Sequence, residues 1–324
     1  MKHAHIIYNP SSGKEIMVKC IDKVVAIIAS FGYEVTTFKT TADQCSARDE
    51  ARRIGEEGVD LVIAAGGDGT IQEVVSGLAP LSKRPRMAIL PVGTTNDYAR
   101  ALKVPRGKPL EAARLIGKGQ TILSDIGEVT RDGEPTRYFI NIAAAGTMSE
   151  VTYRVSSRLK TALGYLAYVV KGAELLPHIK YTHIRVTHDK GVYDGKASLV
   201  FIALTNSVAG FEQIVPDAKL DDGCFTLLIL KTPSVFEMIH LARQALTTGK
   251  HIQSDKLVYI KTSTVSIESM KEDATPLMIN LDGEYGGDAP VTLRNLANHI
   301  EMIADTDRIK ETALSHPEDV LAKE

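Results

Sequence analysis

Leu61-Val62-Ile63-Ala64-Ala65-Gly66-Gly67-Asp68-Gly69-Thr70-Ile71-Gln72 is the stretch that decides the fold. Leu61 to Ala65 is a continuous apolar run of strand length, which suits a strand covered on both faces. Helix-forming sequence follows from Ile71 to Leu78. The glycines between them, Gly66, Gly67 and Gly69, let the backbone reach positive φ and approach a ligand closely. Such a turn aims backbone N–H groups at one point and forms an anion site. G-x-x-x-x-G-K-[ST] is absent and G-x-G-x-x-G fails after Gly69, which excludes a P-loop and leaves a dinucleotide fingerprint unsupported. Asp68 is the informative residue. A carboxylate among phosphates is repelled unless a cation lies between them, and Mg²⁺ is the natural bridge. Taken alone, the element also reads as a tight turn in which Asp68 caps a helix starting at Gly69.

Outward from this stretch, strand and helix alternate over the first 120 or so residues. His5 to Tyr8 is a short strand stopped by Asn9-Pro10-Ser11-Ser12-Gly13. Ile16 to Phe31 has helical apolar spacing and ends at Gly32. Tyr33 to Phe38 is a strand, Ser46 to Glu57 a helix, Met87 to Leu90 a buried strand and Asn96 to Leu102 a helix. This alternation predicts a parallel sheet with right-handed crossovers. The loops Asn9 to Gly13, Gly66 to Thr70 and Gly93-Thr94-Thr95-Asn96-Asp97 then all leave the carboxyl ends of strands, where open α/β sheets bind ligands. Asn96 or Asp97 also reads as a simple helix cap.

After Asp125 the pattern changes. Arg131-Asp132-Gly133-Glu134 predicts a hairpin turn, and a long helical stretch spans Ser149 to Leu176. Strands follow at Tyr181 to His188, Val192 to Leu204, Cys224 to Leu230, Leu257 to Glu268 and Leu277 to Leu281, with a helix at Val235 to Thr247. The expected architecture is an α/β chain in three parts. A parallel α/β nucleotide-binding domain spans 1–125, an antiparallel β-sandwich domain spans 126–303, and a polar tail spans 304–324.

A chain of 324 residues suits two domains. With 38 basic and 40 acidic residues, nothing in the overall charge draws it to nucleic acid, so any electrostatic attachment is local. Cys20, Cys45 and Cys224 form no C-x-x-C pair, which argues against a disulfide framework or thiolate metal site and fits a reducing compartment. The histidines make no H-x-x-x-H or H-E-x-x-H, and His3 and His5 are expected at the surface. No signal peptide or bilayer-length apolar run stands out, so a cytoplasmic location is expected.

N-P-x-S-G, G-G-D-G-T and G-T-x-N-D in this order resemble the catalytic domain shared by diacylglycerol, sphingosine and ceramide kinases. NAD kinases and phosphofructokinases share the G-G-D-G element more distantly. Leu220-Asp221-Asp222-Gly223 and Asp282-Gly283-Glu284 resemble motifs of the bacterial soluble diacylglycerol kinases, so the likeness covers about residues 3–303. Gln72 stands where the family usually has Asn, and Thr95 fills the variable place.

The resemblance implies phosphorylation of diacylglycerol to phosphatidic acid, with ATP contacts at Asn9, Pro10, Ser11, Ser12, Gly13, Thr40, Gly66, Gly67, Asp68, Gly69, Thr70, Ile71, Gln72 and Thr94. It implies catalytic roles for Asp68 and Glu284, the latter as general base. It also implies a structural Mg²⁺ at Asp222 with main-chain oxygens of Lys219 and Cys224, joined with Asp68 and Glu284 in one network. A homodimer is expected from the same source. From the residues alone, Asp282-Gly283 reads as a hairpin turn with a solvated Glu284, and Asp221-Asp222-Gly223 as a turn. Arg154, Arg158, Lys160, Lys171 and Lys180 lie among leucines and tyrosines, which suits peripheral contact with an anionic membrane or a core helix with a solvated basic face. A soluble-alcohol kinase acting on NAD and a non-catalytic nucleotide-binding module are the competing functions.

Overall fold

The structure, a computed structural model, describes residues 1–43, 45–146, 181–208, 210–270 and 276–309. The expected helix from Ser149 to Leu176 and the basic side chains between Arg154 and Lys180 lie outside these residues, as does most of the tail. The chain divides into two compact units. One comprises Met1–Asp125 with Asn298–Ser315, the other chiefly Ile126–Ala297.

In the first unit, β1 (Lys2–Tyr8), β2 (Tyr33–Lys39), β3 (Leu61–Gly66) and β4 (Arg86–Pro91) form a parallel sheet in the order β2-β1-β3-β4. Every residue of β3 is buried, as its unbroken apolar run demands. Helices α1 (Ile16–Ala29), α2 (Ser46–Glu56), α3 (Asp68–Leu78), α4 (Asp97–Ala101) and α5 (Pro109–Ile116) complete the α/β pattern, with α1 packing on α5 and α2 on α3. The short apolar content of α5 hides it in the sequence, but Pro109 at its first turn is a favourable start.

His5 departs from its expected surface position. It is buried on β1, with Nε2 2.9 Å from Glu50 Oε1 on α2 and Nδ1 2.6 Å from Thr36 Oγ1 on β2. His3, on the same side, is exposed. Two residues along β1 are enough to pass from the sheet edge to the interior beneath α2.

In the second unit, β5 (Thr121–Thr130) and β6 (Arg137–Phe139) form the expected hairpin. β7 (Ile142–Ala145), β8 (Thr182–His188), β9 (Gly191–Ala197), β10 (Leu199–Ala203), β11 (Phe225–Leu230), α6 (Val235–Thr247), β12 (Leu257–Thr262), β13 (Thr264–Ser269), β14 (Met278–Leu281), β15 (Glu284–Asp288) and β16 (Val291–Ile303) follow. An antiparallel six-stranded sheet runs β12-β11-β10-β7-β14-β15. Strands β13, β8 and β9 belong with β16 in another sheet.

Two runs expected as single strands are therefore pairs. Val192 to Leu204 breaks at Ser198 and Leu257 to Glu268 breaks at Ser263, and in each pair the halves enter different sheets. Ser198 Oγ bonds the carbonyls of Leu230 and Lys231, while Ser263 donates through N–H and Oγ to Asp189. A hydroxyl at each corner thus satisfies backbone that leaves the ladder.

Both faces of the six-stranded sheet are covered. Phe225, Leu227 and Ile229 enter one core with Val200 and Ile202, where Phe139 stacks on Phe225 at 5.7 Å between ring centroids. Leu228 and Leu230 enter another with Phe201 and with Met238 and Leu241 of α6. Each fully buried side chain of this size contributes about 1.5–3 kcal/mol.

β16 was not legible as a strand, and although it ends at the expected domain limit of residue 303 it does not stay within one unit. Its first residues pair with β13, whereas Met302 pairs with Met87 of β4, which puts residues 298–303 in the first unit. Asn298, at φ 51°, lies between these parts, and its N–H donates to Asp125 Oδ1 at 2.8 Å.

Burial holds the His5 imidazole below its usual value, against the pull of Glu50, and burial lowers His251 likewise. The folded chain thus resists protonation at these sites, whereas the unfolded chain accepts protons near pH 6.5. Stability from these groups is complete above about pH 6.5 and falls as pH drops below it. Thermal melting from pH 8 to pH 5 should show this decline, and His5→Gln should flatten part of it.

Candidate active site

The loop after β1 begins with the Asn9 N–H donating to the Ala65 carbonyl at 2.9 Å, which ties it to β3. Asn9 Oδ1 accepts from the Ser11 N–H at 2.9 Å and bends the chain through Pro10 into a 3-10 turn over Ser12–Lys14. Gly13 within that turn has φ 57°, and a Cβ there would lie 2.0 Å from the Val92 carbonyl oxygen. Glycine is required on both counts. The Thr40 N–H donates to the Tyr8 carbonyl at 3.0 Å, so the end of β2 joins the same edge, with Thr40 buried.

At the centre, the Gly66 carbonyl accepts from Val92 N–H at 2.9 Å and Gly93 N–H at 3.2 Å. The next residues come still closer. A Cβ on Gly93 would meet the Gly67 Cα at 2.5 Å. Asn96 is buried in the left-handed region at φ 51°; its Oδ1 accepts from Gly93 N–H at 3.1 Å and its Nδ2 donates to the Gly93 carbonyl at 2.8 Å. It folds its own loop and does not cap α4 through its side chain.

The helix after the glycine turn starts earlier than expected. Gly67 is its N-cap and Asp68 lies in its first turn, so Asp68 does not cap it. The Ile71 N–H makes the first helical bond of α3, to the Gly67 carbonyl at 3.1 Å, so the first turn is formed by Asp68, Gly69 and Thr70. Gly69 and Thr94 are exposed beside the buried Thr70 and Ile71. Gln72 Nε2 reaches down the helix to Ser76 Oγ at 3.1 Å. The loops of the first unit therefore do converge, through backbone contacts, on one edge with a helix N-terminus at its centre.

In the second unit, Asp282 and Gly283 both have positive φ, 50° and 98°, and close the tight turn between β14 and β15. Glu284 opens β15 and is exposed. The turn is anchored by a residue whose role the sequence did not show. Asp282 Oδ2 accepts from Ile140 N–H at 2.8 Å, and Oδ1 from the N–H groups of Asn141 and Ile142 at 2.9 Å each. Burial outweighs these three bonds and pushes the Asp282 carboxyl up to about 6. Its partners lie about 140 residues away in sequence, beyond the reach of any local pattern.

Asp222 lies in the turn before β11. Its Oδ1 accepts from Cys224 N–H at 3.1 Å, and its Oδ2 lies 2.9 Å from Lys261 Nζ. The register connects Thr226, Ala203, Ile142 and the end of β14, so Asp222 and Glu284 occupy the same end of the six-stranded sheet. Four strand spacings separate β11 from β15, roughly 19 Å, so the two carboxylates do not bond directly.

The Asp222 turn offers a carboxylate oxygen and the Asp217 carbonyl oxygen to one cation, the Lys261 ammonium, and oxygen donors of this kind are those a hard divalent cation takes. Among the described residues there is no group of three or more His, Cys, Asp or Glu that could hold a metal. All three cysteines are free. A groove of about 580 Å³ beside α6, lined by Phe236, His240 and Lys256, contains none of the motif residues.

Residues 3–129 match the Diacylglycerol kinase catalytic domain, and residues 141–304 match the YegS C-terminal NAD kinase beta sandwich-like domain. The chain belongs to the diacylglycerol kinase family. It is 43% identical over 311 residues to the Diacylglycerol kinase of Bacillus subtilis (strain 168), covering 96% of this chain and 99% of that one. It is 41% identical over 325 residues to the Diacylglycerol kinase of Staphylococcus aureus (strain JH9), covering 100% and 99%. The crystal structure of a protein described as a diacylglycerol kinase from Bacillus anthracis str. Sterne matches with a TM-score of 0.79 at 26% identity, covering 94% of this chain and 96% of that one. Membership in the diacylglycerol kinase family makes this chain a lipid kinase. No described helix is long and apolar enough to cross a membrane.

The Gly67–Gly93 contact predicts that Gly93→Ala drives these two loops apart. Nucleotide binding measured by calorimetry should fall at least tenfold. Removing the Asp282 anchor should act on the other unit. Asp282→Ala leaves three backbone donors unpaired and should cost roughly 3 kcal/mol in denaturant unfolding.

Proposed function

We propose that this lipid kinase transfers the γ-phosphoryl group of ATP to the free hydroxyl of diacylglycerol, giving phosphatidic acid and ADP. The observation that carries the reading is full-length likeness, at 41–43% identity, to proteins named Diacylglycerol kinase. The convergent loops of the first unit support a nucleotide site in the same chain.

In this reading Asn9 to Gly13, Thr40, Gly66 to Gln72 and Thr94 hold ATP. The N–H groups in the first turn of α3 face its phosphates. Asp68 would balance the charge of a Mg²⁺ bound with ATP, whose chemistry would be to neutralise charge on the phosphate oxygens. Glu284 accepts the proton of the acceptor hydroxyl while the new O–P bond forms and the bond from the β,γ-bridging oxygen to Pγ breaks. Its exposed place on a tight turn leaves the carboxylate accessible. Asp222, with the main-chain oxygens of Lys219 and Cys224, would hold a structural Mg²⁺. The enzyme works at a membrane surface, because its acceptor resides there.

A second reading is phosphorylation of NAD, which the match of residues 141–304 to an NAD kinase-like sandwich favours. Labelled γ-phosphate offered with diacylglycerol, other lipid alcohols and NAD separates the two. Label in phosphatidic acid supports the first, and label in NADP without lipid product replaces it.

Glu284→Gln keeps the size of the side chain and removes the base. Turnover should drop about 10²–10⁴-fold while ATP binding and melting temperature stay near wild type. Near-normal turnover would remove Glu284 from this role.

A further inference from the structure

We propose that the Lys261 ammonium competes with a divalent cation for the Asp222 turn and so sets the affinity of that turn for metal. The inference rests on the metal-binding reading of Asp222 given above and adds a residue that opposes it.

Lys261 lies on β12, opposite Thr226 of β11. This pairing delivers its side chain to the turn that precedes β11. Nζ lies 2.9 Å from Asp222 Oδ2 and 3.0 Å from the Asp217 carbonyl oxygen. Tyr259, two residues earlier on the same strand, donates to the Asp217 carboxylate and fixes that end of the loop. The turn thus gathers one carboxylate oxygen and one carbonyl around a single positive charge, an arrangement that a small divalent cation also seeks.

Both cations cannot use Asp222 at full strength. The remaining oxygen, Oδ1, is turned toward the Cys224 N–H. A cation ligated by Asp222 would therefore lie within a few ångströms of the ammonium, in a site where both side chains are 25% exposed and water screens the repulsion incompletely. Metal binding must move Lys261 away, and its flexible stem permits this. The free energy of that displacement is subtracted from metal affinity. When no metal is bound, the ammonium neutralises Asp222 and holds the turn closed.

The test is thermal melting of the full chain against Mg²⁺ concentration, without nucleotide, for wild type, Lys261→Gln, Lys261→Arg and Asp222→Asn. Mg²⁺ should stabilise the wild type. Half-saturation should move to about tenfold lower Mg²⁺ in Lys261→Gln, because a like charge beside the ligand has gone. Lys261→Arg should behave as wild type, and Asp222→Asn should lose the response. In chelator, Lys261→Gln should melt below wild type. A response in Lys261→Gln alone is the same competition at its limit and supports it.

An unchanged half-saturation in Lys261→Gln overturns the competition and leaves the metal reading standing. A Mg²⁺ response retained in Asp222→Asn, or absent from both wild type and Lys261→Gln, overturns the metal reading and the competition with it. If Lys261→Gln does not fold, amine labelling of the wild type followed by mass spectrometry gives an independent answer. Labelling of Lys261 should rise as Mg²⁺ is added, and constant labelling overturns the proposal.

Discussion

The Gly66 carbonyl accepts two N–H groups, from Val92 and Gly93, and the loop-bearing edge of the first unit depends on this shared bond. It draws the loops after β3 and β4 into backbone contact, with Gly93 against Gly67 and Gly13 against Val92. Three loops from different parts of the chain meet without side chains between them. Their N–H groups thereby gain access to a ligand that a Cβ would block. Asn96 completes the arrangement, since its amide bonds both backbone groups of Gly93 and lets the loop turn tightly.

The second unit is built on another constraint. Its six-stranded sheet is buried on both faces, so β11 is apolar at each position from Phe225 to Leu230 apart from the buried Thr226. Such a sheet exposes polar side chains chiefly at its strand ends. Asp222 and Glu284 are both placed there, in turns whose carboxylates and backbone are held by partners elsewhere in the unit. Asp282 fixes one turn to the entrance of β7, while Tyr259 and Lys261 fix the other to β12.

Most of the α/β order of the first unit was legible because each strand and helix is local and several end at glycine, proline or asparagine. The loops bearing Asn9, Asp68 and Thr94 could be placed by that order alone. Other features had no local signature. Ser198 and Ser263 mark corners between sheets, but a serine inside an apolar run does not reveal which sheet its neighbours join. β16 escaped for a different reason. Val291, Leu293 and Asn295 face inward, then Ile300 and Met302 do so, and the change of parity occurs at the left-handed Asn298. No single period of two describes the strand. The ties from Asp282 to 140–142 and from Lys261 to Asp222 depend on tertiary register, and Glu284 and Asp222 owed their selection to family resemblance.

The end of β16 has a consequence for how the protein is made. The edge of β4 is covered by residues near Met302, and Arg84 donates to the His299 carbonyl at 2.7 Å while His299 Nε2 lies 2.8 Å from the Ala79 carbonyl. Residues 1–125 leave the ribosome long before these partners are synthesised. During translation the first unit therefore carries an open, apolar sheet edge, the kind of surface that invites pairing with other chains. Completion of this sheet waits for residues 298–303, and a fragment comprising residues 1–125 alone has an incomplete sheet.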